Sequence, residues 1–553
     1  RAGRSPSTSH ILMAAGRTPQ TPSGANSFST MTVAMLKKEL VKRGLPVSGK
    51  KAVLIERLNA QIRPPSNGIR TSTGDRPAGV ARRKAPVKAS QGAQGVAVAR
   101  SDGPTVMIVE SPAKCATVEK ILGDEYVVLA SYGHVRALPS KPNSVRPTEE
   151  FAMDFELVSG ASGVLKSLGA ALKQSRRLLL ATDPDREGEA IAWHLQEALY
   201  DRKLLPPHIP VQRVSFSEIT QKAVQAALAA PREINMPLVR AQQARQAVDY
   251  LVGFTLSPVL WRKLPGCRSA GRVQSVALRI ITEREHEIAR FEPLEYWHLK
   301  ARLLPPKVDA AAQDSYLLAE VTHLRGERLR QFDLNSEATT AAAAATLPDA
   351  WRVSNVKRSQ RQSGPPAPYN TASLQQDASR RLGMAVGRIM RLAQSLYEGM
   401  PLDDGEPVAL ITYMRTDGVQ MSADGIEGAR AYIASAFGRG AEFLPEAPRA
   451  FKRKARNAQE AHEAIRPVDM TRTPMSLRGK LPDAELRLYE LIWRRAVGSQ
   501  MANALHEQLA ITLVPSGNDA GGEQPDAEAR TSGSRLIRPG YKLLSQQPSA
   551  VPS

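Results

Sequence analysis

The stretch Arg177-Leu-Leu-Leu-Ala-Thr-Asp-Pro-Asp-Arg-Glu-Gly-Glu189 decides the fold. It begins with an apolar run that predicts a buried β-strand, and its acidic residues follow where that strand ends. A second apolar strand, Thr105–Val109, also ends at an acidic residue, Glu110, and Ser111-Pro112 then opens a helix. Strands that end in this way predict an open α/β sheet, in which ligands bind at the carboxyl ends of the strands.

The acidic side chains at these two strand ends predict a metal site. Crowded carboxylates repel one another unless something positive binds them. Oxygen ligands without His or Cys are typical of Mg²⁺. The alternative is an acidic first turn of a helix, which favours negative charge, but one carboxylate is enough for that. The predicted metal ligands are Glu110, Asp183, Asp185 and Glu187.

A third apolar run, Ala409-Leu-Ile-Thr412, predicts another short buried strand, and Tyr413 stands at its end. A tyrosine hydroxyl is a weak nucleophile at neutral pH, since its unperturbed pKa is about 10. A neighbouring cation lowers that pKa and stabilises charge that builds on a phosphate, and Arg415 is close enough in sequence to do so. An ordinary strand tyrosine before an exposed turn fits these residues equally well.

Composition limits the class of protein. The 553 residues carry a net charge of +21, the pI is about 10.0, and the length predicts three or four domains. Because no apolar run approaches 18 residues, we expect no membrane span, and nucleic acid is the expected partner. Cys115 and Cys267 lie too far apart for a disulfide framework or a thiolate zinc site, which fits a reducing compartment.

The N-terminal region is strongly basic. Residues 1–103 hold eighteen Lys and Arg against four Asp and Glu, and so account for fourteen of the net charges. Residues 1–28 fit a disordered leader or a transit peptide, and residues 63–103 a disordered linker. Between them, LKKELVKRGLPVSGKKAVLIERL (36–58) predicts two short helices and resembles a SAP domain, a DNA-binding module. The alternative is an isolated solvated helix pair. The predicted phosphate contacts are Lys37, Lys38, Lys50 and Lys51.

The pairing of Glu110 with Asp183-Pro-Asp185 resembles a Toprim domain, the metal-binding α/β module of topoisomerases, primases and some nucleases. Together with TYMRTD (412–417), it makes the chain resemble a type IA DNA topoisomerase. Met414 stands where the topoisomerase III branch usually has proline, so the bacterial topoisomerase I branch is the better match. Further matching motifs are SYGHVRALP (131–139), ATDPDREGEAIAWHL (181–195), RVSFSEIT (213–220), QQARQAVDYLVGF (242–254), SAGRVQSVALR (269–279), SLQQDASRRLG (373–383) and AQEAHEAIRP (458–467).

The resemblance implies an ATP-independent enzyme that cleaves one DNA strand through a 5′-phosphotyrosine, passes a strand and religates, relaxing negatively supercoiled DNA. In it Tyr413 is the nucleophile, Arg415 binds the scissile phosphate, and Glu110 is a general acid and base near the 3′-hydroxyl. Lys114 contacts the phosphate, and His462 responds to DNA binding. Asp183, Asp185 and Glu187 form the triad that places Mg²⁺. The residues implied beside the site or in the single-strand groove are His134, Arg245, Asp249, Ser269, Arg272 and Gln274.

Most of these residues also have an ordinary structural explanation. A lone histidine is more often a satisfied structural group, which applies to His134 and His462. Arg245 and Asp249 also fit a surface ion pair on one helix face. Arginines with polar partners in the groove would follow the DNA backbone without reading bases, so we expect weak sequence preference.

The expected fold class is α/β and α multidomain: a Toprim α/β domain plus helical groove and tyrosine domains arranged as a type IA topoisomerase toroid, with a small helical SAP module. Leu374, Leu382, Ile389, Leu392 and Leu396 fit helical spacing in the tyrosine domain. The expected domains are the leader (1–28), SAP module (29–62), linker (63–103), Toprim domain (104–238), incomplete groove domain (239–304), first part of the arch (305–372), tyrosine domain (373–502) and arch return (503–553).

Some features depart from the family pattern. Gly418 replaces a usual serine, and Gln246 replaces the second arginine of a groove doublet. No GRPSTY motif is present, and residues 516–534 are interpreted as a Gly, Ala and Ser-rich insert, so we expect the C-terminal part to be truncated. Two other functions therefore stay open: a Toprim nuclease or primase-like enzyme, and an inactive DNA-binding protein anchored by the SAP module.

The partner and the compartment follow from these interpretations. The expected partner is DNA, single-stranded or negatively supercoiled, and the protein is expected to act as a monomer. The basic leader and the SAP module indicate a plastid or mitochondrial nucleoid, with the nucleus as the alternative.

Overall fold

A computed structural model of the 553-residue chain describes Leu40 and residues 103–264, 266, 269–304, 316–402, 405–438, 440–451, 463–516 and 526–546. The chain divides into two units, residues 1–95 and 96–553. Leu40, in the first unit, is helical and buried. Outside the described residues lie the linker over 63–102 and the predicted phosphate contacts Lys37, Lys38, Lys50 and Lys51. No described helix is both long and apolar enough to span a membrane.

The second unit begins with a parallel sheet that has the predicted α/β organisation. Its elements in chain order are β1 (Thr105–Val109), α1 (Pro112–Leu122), β2 (Tyr126–Ala130), β3 (Arg136–Ala137), β4 (Val145–Arg146), β5 (Ala152–Met153), β6 (Glu156–Leu157), α2 (Ala161–Leu172), β7 (Arg177–Leu180), α3 (Arg186–Asp201), β8 (Val211–Arg213) and α4 (Gln221–Ala229). The sheet order is β2-β1-β7-β8, and all neighbours are parallel. All five residues of β1 are buried, as a strand covered on both faces requires.

Two long helices follow, α5 (Met236–Lys263) and α6 (Arg272–Arg290). Asn235 caps α5, because its side chain accepts a hydrogen bond from the Leu238 N–H. One face of α5 packs on α3. Helix α6 has no buried residue, and its apolar side chains, including Val273 and Leu278, are exposed.

The rest of the chain forms a second sheet and a helical region. The elements are β9 (Lys300–Leu303), β10 (Leu317–Leu324), β11 (Glu327–Arg328), α7 (Glu337–Ala345), β12 (Trp351–Ser363), α8 (Thr371–Leu382), α9 (Val386–Glu398), β13 (Met400–Pro401), β14 (Pro407–Val408), α10 (Ala423–Phe437), α11 (Asp483–Ser499), β15 (Ala504–Pro515), β16 (Ala527–Arg538) and α12 (Leu543–Gln546). The sheet order is β11-β10-β16-β15-β12, and β9 pairs with β10.

The largest core joins the parallel sheet to the helical region. Met107 and Val109 of β1 pack in the same cluster as Leu374 of α8, Ile389 of α9 and Trp493 of α11. A separate small core lies under the second sheet, around Ala319, Leu513 and Ala529. The segment around Tyr413 is therefore held against the parallel sheet by shared hydrophobic burial.

Two local predictions need correction. The run Ala409–Thr412 is buried as predicted but is not a sheet strand, because its hydrogen bonds go to scattered partners: Leu410 N donates to Leu396 O (2.8 Å) and Thr412 N to Arg466 O (2.9 Å). The helical spacing predicted from Leu374 to Leu396 is confirmed and is divided between α8 and α9, since Gly383 is left-handed and ends α8.

The second correction concerns the region interpreted as an insert. Residues 527–534 belong to β16, which pairs with both β10 and β15. Small polar residues do not predict a strand by themselves, so the strand depends on pairing with β15, which directly precedes it, and with β10, which is distant in sequence.

Candidate active site

The acidic residues reach one site because two adjacent parallel strands end beside each other. Glu110 follows β1, and Asp183 and Asp185 follow β7. Asp185 is the N-cap of α3 and accepts a hydrogen bond from Gly188 N (2.8 Å). A Cβ at Gly188 would clash with the Asp183 carbonyl oxygen, so glycine is needed for this close turn.

Glu110, Asp183 and Lys114 form the buried part of the site. The backbone N–H of Asp183 donates to Glu110 Oε1 (2.8 Å). Lys114 Nζ forms an ion pair with Asp183 Oδ1, and the Lys114 side chain is 1% exposed. Burial first, then the negative charge of Asp183, raises the pKa of Glu110 to about 7. Glu110 can therefore hold or release a proton near neutral pH.

Tyr413 lies directly against this acidic turn. Its hydroxyl donates to Asp185 Oδ2 (2.6 Å), and its backbone N–H donates to Ser217 O (2.8 Å). Arg415 Nη1 lies 4.0 Å from Asp185 Oδ2, and the Arg415 side chain is 56% exposed. The structure thus brings together the predicted nucleophile, the predicted phosphate-binding cation and one of the predicted acids.

The expected lowering of the Tyr413 pKa by Arg415 is smaller than the effects that raise this pKa. Burial first, then the charges of Asp183 and Asp185, raises the pKa of Tyr413 well above its ordinary value, and Arg415 lowers it by less. The prediction of a net lowered pKa is therefore wrong for this arrangement. Because Tyr413 is 3% exposed, a phosphodiester can reach its hydroxyl only after the surrounding side chains move.

The four predicted metal ligands are near one another but already have protein partners. His134 Nε2 lies 2.7 Å from Glu187 Oε1, while Asp183 pairs with Lys114. Among the described residues, no three His, Cys, Asp or Glu side chains are arranged to hold a metal ion. The donor set nevertheless fits Mg²⁺ chemically, since all of its ligand atoms are carboxylate oxygens.

A cavity of about 920 Å³ opens beside Asp185 and runs between α3, α5 and the segment around Arg415. Of the predicted groove residues, Arg245 and Asp249 line it. Asp249 pairs with Arg272 of α6 (2.9 Å), and not with Arg245 as the ion-pair alternative proposed. The other lining residues are Arg186, Glu187, Gln242, Gln246, Asn370, Thr371, Ala372, Gln375, Thr416 and Asp417.

The remaining predicted residues lie farther along the helices or outside the description. Ser269 and Gln274 contact each other, since Gln274 Nε2 donates to Ser269 Oγ (3.0 Å), and both are exposed. His462 lies outside the described residues, so its predicted position is not described.

Three residues were missed by the sequence interpretation. Tyr397 of α9 stacks edge-on against Tyr413, with ring centroids 5.2 Å apart, and its hydroxyl donates to Asp183 Oδ1 (3.4 Å). Glu398 accepts a hydrogen bond from Ser111 Oγ (2.8 Å). Arg213 is buried beneath the acidic turn and donates to the Asp183 carbonyl (2.6 Å). Of these three residues, only Arg213 lies in one of the motifs that match the family. Tyr397 had no local signal beyond an apolar position at helical spacing.

Comparisons with known proteins agree on one family. A family model described as DNA topoisomerase matches residues 233–551, a Toprim domain model matches 105–219, and a SAP domain model matches 27–63. DNA topoisomerase 1 of Rickettsia felis is 44% identical over 437 residues, which are 79% of this chain and 54% of that protein. DNA topoisomerase 1 of Zymomonas mobilis is 47% identical over 410 residues, 74% of this chain and 32% of that protein.

The structural comparison gives the same result. The structure of full-length topoisomerase I from Thermotoga maritima matches with a TM-score of 0.65 and 34% sequence identity, covering 81% of this chain and 68% of that chain. The chain spans about half the length of the Rickettsia relatives that it matches. The predicted fold class is confirmed: a Toprim α/β domain is joined to a type IA topoisomerase-like fold, and a SAP domain precedes it. The chain belongs to the type IA DNA topoisomerase family and is similar to bacterial topoisomerase I.

Proposed function

We propose that this protein is an ATP-independent DNA topoisomerase that relaxes negatively supercoiled DNA by cleaving one strand, passing a strand and religating. The observation that carries the proposal is the contact of the Tyr413 hydroxyl with Asp185 beside Glu110, Lys114 and Arg415. A nucleophile, a proton acceptor, a group that can donate a proton and two cations for a phosphate lie within one site.

The bond changes balance with these side chains alone. Tyr413 attacks the phosphorus as its proton passes to Asp185, a 5′-phosphotyrosine bond forms, and the bond to the 3′-oxygen breaks. Glu110 gives its proton to the leaving 3′-oxygen and takes it back when that hydroxyl attacks in religation. The phosphotyrosine bond breaks in that step, and Asp185 returns its proton to the Tyr413 oxygen. Lys114 and Arg415 stabilise charge on the phosphate oxygens. Because one phosphodiester is exchanged for another, the cycle needs no ATP.

Mg²⁺ is proposed as the cofactor, and Asp183, Asp185 and Glu187, with Glu110, are the residues that would hold it. When bound, it would supply positive charge to the acidic turn and to DNA phosphates. The all-oxygen donor set and the raised pKa of Glu110 support this proposal.

The expected substrate is single-stranded or negatively supercoiled DNA, bound by a monomer. The cavity lined by Gln242, Arg245 and Gln246 leads from α5 to the acidic turn and has a volume of about 920 Å³. We also propose a plastid or mitochondrial nucleoid as the compartment, on the basic N-terminal region. Fluorescence microscopy of the protein with its complete N-terminal region would test that location.

The test of the function compares the wild type with Tyr413→Phe. Phenylalanine keeps the ring contact with Tyr397 and removes only the hydroxyl. With Mg²⁺ and negatively supercoiled plasmid, we expect stepwise relaxation and, on a single-stranded oligonucleotide, a 5′-linked adduct, and both should be lost in the variant. A wild type that forms no adduct while still binding DNA would overturn the proposal. Strand hydrolysis that survives in Tyr413→Phe would instead favour a Toprim nuclease.

A further inference from the structure

The three long strands β12, β15 and β16 form a basic ribbon that plays no part in the site described above. Residues 351–363, 504–515 and 527–538 contain seven Lys and Arg against two Glu. β12 has four cations and no acidic residue. The seven cations are Arg352, Lys357, Arg358, Arg361, Arg530, Arg535 and Arg538.

The two acidic residues of the ribbon are already paired within it. Glu507 binds Arg535 (2.8 Å), and Glu528 binds Arg530 (2.5 Å) at the end of the ribbon distant from the tyrosine domain. Within the described part of the chain, no carboxylate lies within ion-pair distance of Lys357 or Arg361. The middle of the ribbon therefore carries positive charge that the described residues do not neutralise.

The strand register divides these cations between the two faces of the ribbon. Lys357 lies opposite Ala510, which lies opposite Ser532, and Arg361 lies opposite His506. Residues directly opposite share a face of a sheet. We call this the positive face, and its members around Lys357 and Arg361 are Ser359, His506, Gln508, Ala510, Ser532, Ser534 and Leu536. The other face carries Arg358, Gln360, Glu507 and Arg535, with Arg538 opposite Leu505 at its end.

No core covers the middle of the ribbon. Every residue of β12 from Arg352 to Gln362 is exposed, and a strand of this length extends about 40 Å. One end is fixed beside the largest core, since Ser363 Oγ lies 3.2 Å from the hydroxyl of Tyr541, which packs against that core, and Asn503 Nδ2 donates to Gln362 Oε1 (2.9 Å). Shortly after β12, the chain reaches Thr371, which lines the cavity beside Asp185.

We propose that the positive face binds the sugar-phosphate backbone of a DNA segment other than the strand that Tyr413 attacks. Lys357 and Arg361 lie four residues apart on one strand, about 13 Å, and serine hydroxyls and a glutamine amide lie between them and beside them. Cations with short polar neighbours suit phosphate contacts, which position DNA without reading its sequence. The inference rests on the proposed function for the identity of the polyanion.

Photo-cross-linking from two adjacent residues tests the face directly. Ser359→Cys places a thiol on the positive face and Gln360→Cys places one on the opposite face, and each would carry an azidophenacyl group. The probe is a labelled 30-base-pair duplex, with an unlabelled ten-nucleotide single strand added to fill the catalytic cavity. We expect cross-linking from position 359 several-fold above position 360, after the wild-type background from Cys115 and Cys267 is subtracted.

Charge removal gives a second, independent measurement. Lys357→Gln/Arg361→Gln should weaken duplex binding about tenfold near physiological salt and lower the slope of log affinity against log salt by about 2, because two phosphate contacts are lost. Arg358→Gln, on the opposite face of the same strand, is the matched control and should change neither quantity appreciably. The SAP module is present in all variants, so it does not contribute to the difference in cross-linking from position 359.

The outcomes separate this inference from the proposed function. Equal cross-linking from positions 359 and 360, or cross-linking of Ser359→Cys to a second protein chain and not to DNA, would overturn the ribbon proposal. An intact 5′-linked adduct on the short strand in Lys357→Gln/Arg361→Gln is expected, since neither residue touches the catalytic site. If the wild type also forms no adduct, the proposed function fails, whereas a wild-type adduct with no preference for position 359 rejects the ribbon alone.

Discussion

Asp185 and Glu189 lie four residues apart at the start of the same helix, α3, and have opposite environments. Glu189 accepts from Arg213 Nε (3.1 Å), Arg232 Nη1 (2.7 Å) and Asn235 N (2.6 Å), and it is 1% exposed. Burial raises its pKa, but the hydrogen bonds from Arg232 and the charge of Arg213 lower the pKa of Glu189 below its ordinary value. Asp185 instead accepts from the Tyr413 hydroxyl (2.6 Å), and Arg415 Nη1 lies 4.0 Å from it, beyond hydrogen-bond distance.

The difference shows how one acidic helix start serves two purposes. Where a buried carboxylate is paired with arginines, its hydrogen bonds hold secondary-structure elements together. Glu189 in this way joins α3 to β8 and to the start of α5. Where burial and neighbouring carboxylates act without enough cations, the pKa values of Glu110 and Tyr413 rise, burial being the larger cause of each rise. Four substitutions or conditions test this contrast.

The largest expected effect on stability is at Glu189. Glu189→Gln leaves Arg213, whose side chain is 0% exposed, without its carboxylate, and removing one partner of a buried ion pair costs about 3–5 kcal/mol. We expect the free energy of unfolding, measured with urea, to fall by about that amount. A loss below about 1 kcal/mol would show that the ion pair between Glu189 and Arg213 contributes little to stability.

The next effect concerns the turn between the two carboxylates. Gly188→Ala places a methyl group against the Asp183 backbone, so we expect a loss of about 1–3 kcal/mol. Gly163→Ala in α2 is the matched control, because nothing lies within 4 Å of a Cβ there and alanine favours the helix. Thermal unfolding should give opposite signs for the two variants, and equal signs would contradict the close approach at Gly188.

His194, a third titratable group on α3, tests whether a buried side chain on this helix stays uncharged. Burial first, and then the charge of Arg136, lowers the pKa of His194 to about 3, while Arg136 Nε donates to His194 Nδ1 (3.1 Å). The unfolded pKa is about 6.5, so above pH 6.5 both states are neutral and the group has no effect. As the pH falls from 6.5 towards 3, only the unfolded chain takes up the proton and stability is lost.

Between pH 7.5 and 5.5 this group should reduce the free energy of unfolding by about 1 kcal/mol. His194→Gln keeps an acceptor for Arg136 and cannot titrate, so its loss over the same interval should be smaller by that amount. Urea titrations of both proteins at the two pH values measure the difference, and identical losses would show that His194 titrates normally.

The smallest effect on stability is expected at Asp185. Asp185→Asn retains an N-cap of equal quality, so the unfolding free energy should change by less than about 0.5 kcal/mol. The effect of Asp185→Asn on function should be much larger, because a proton acceptor and a proposed Mg²⁺ ligand are lost. We expect the Mg²⁺ concentration needed for plasmid relaxation to rise at least about tenfold. Plasmid relaxation across a Mg²⁺ series, alongside thermal unfolding, separates the two effects.

Sequence patterns predicted much of this site because its parts are local. The apolar runs before Glu110 and Asp183, the Ser111-Pro112 helix start and the residue order of the motifs are all readable within short windows. Each of these patterns predicts a strand or a helix and the polar side chains that lie at its end. The structure places Glu110, Asp183, Asp185 and Tyr413 at one site, as those patterns require.

Other features depend on contacts between distant residues and had no local signal. Tyr397 reaches Asp183 across 214 residues, and Arg213 lies under the acidic turn from the next strand of the sheet. The hydrogen bonds of Ala409–Thr412 go to Leu396 and Arg466, so a strand pattern produced no strand. Long-range partners decide such cases because an extended apolar segment can satisfy its backbone in several ways.

By itself, then, the amino-acid sequence determined the chemistry available: which carboxylates, which tyrosine, which cations and the elements that end at them. Only the tertiary structure decided how those groups affect one another, because a pKa depends on burial and on charges brought from elsewhere in the chain. That is why Arg415 could be identified beside Tyr413 while the net rise in the tyrosine pKa could not. The same holds for the ribbon, whose positive face exists only because three separate strands pair in one register.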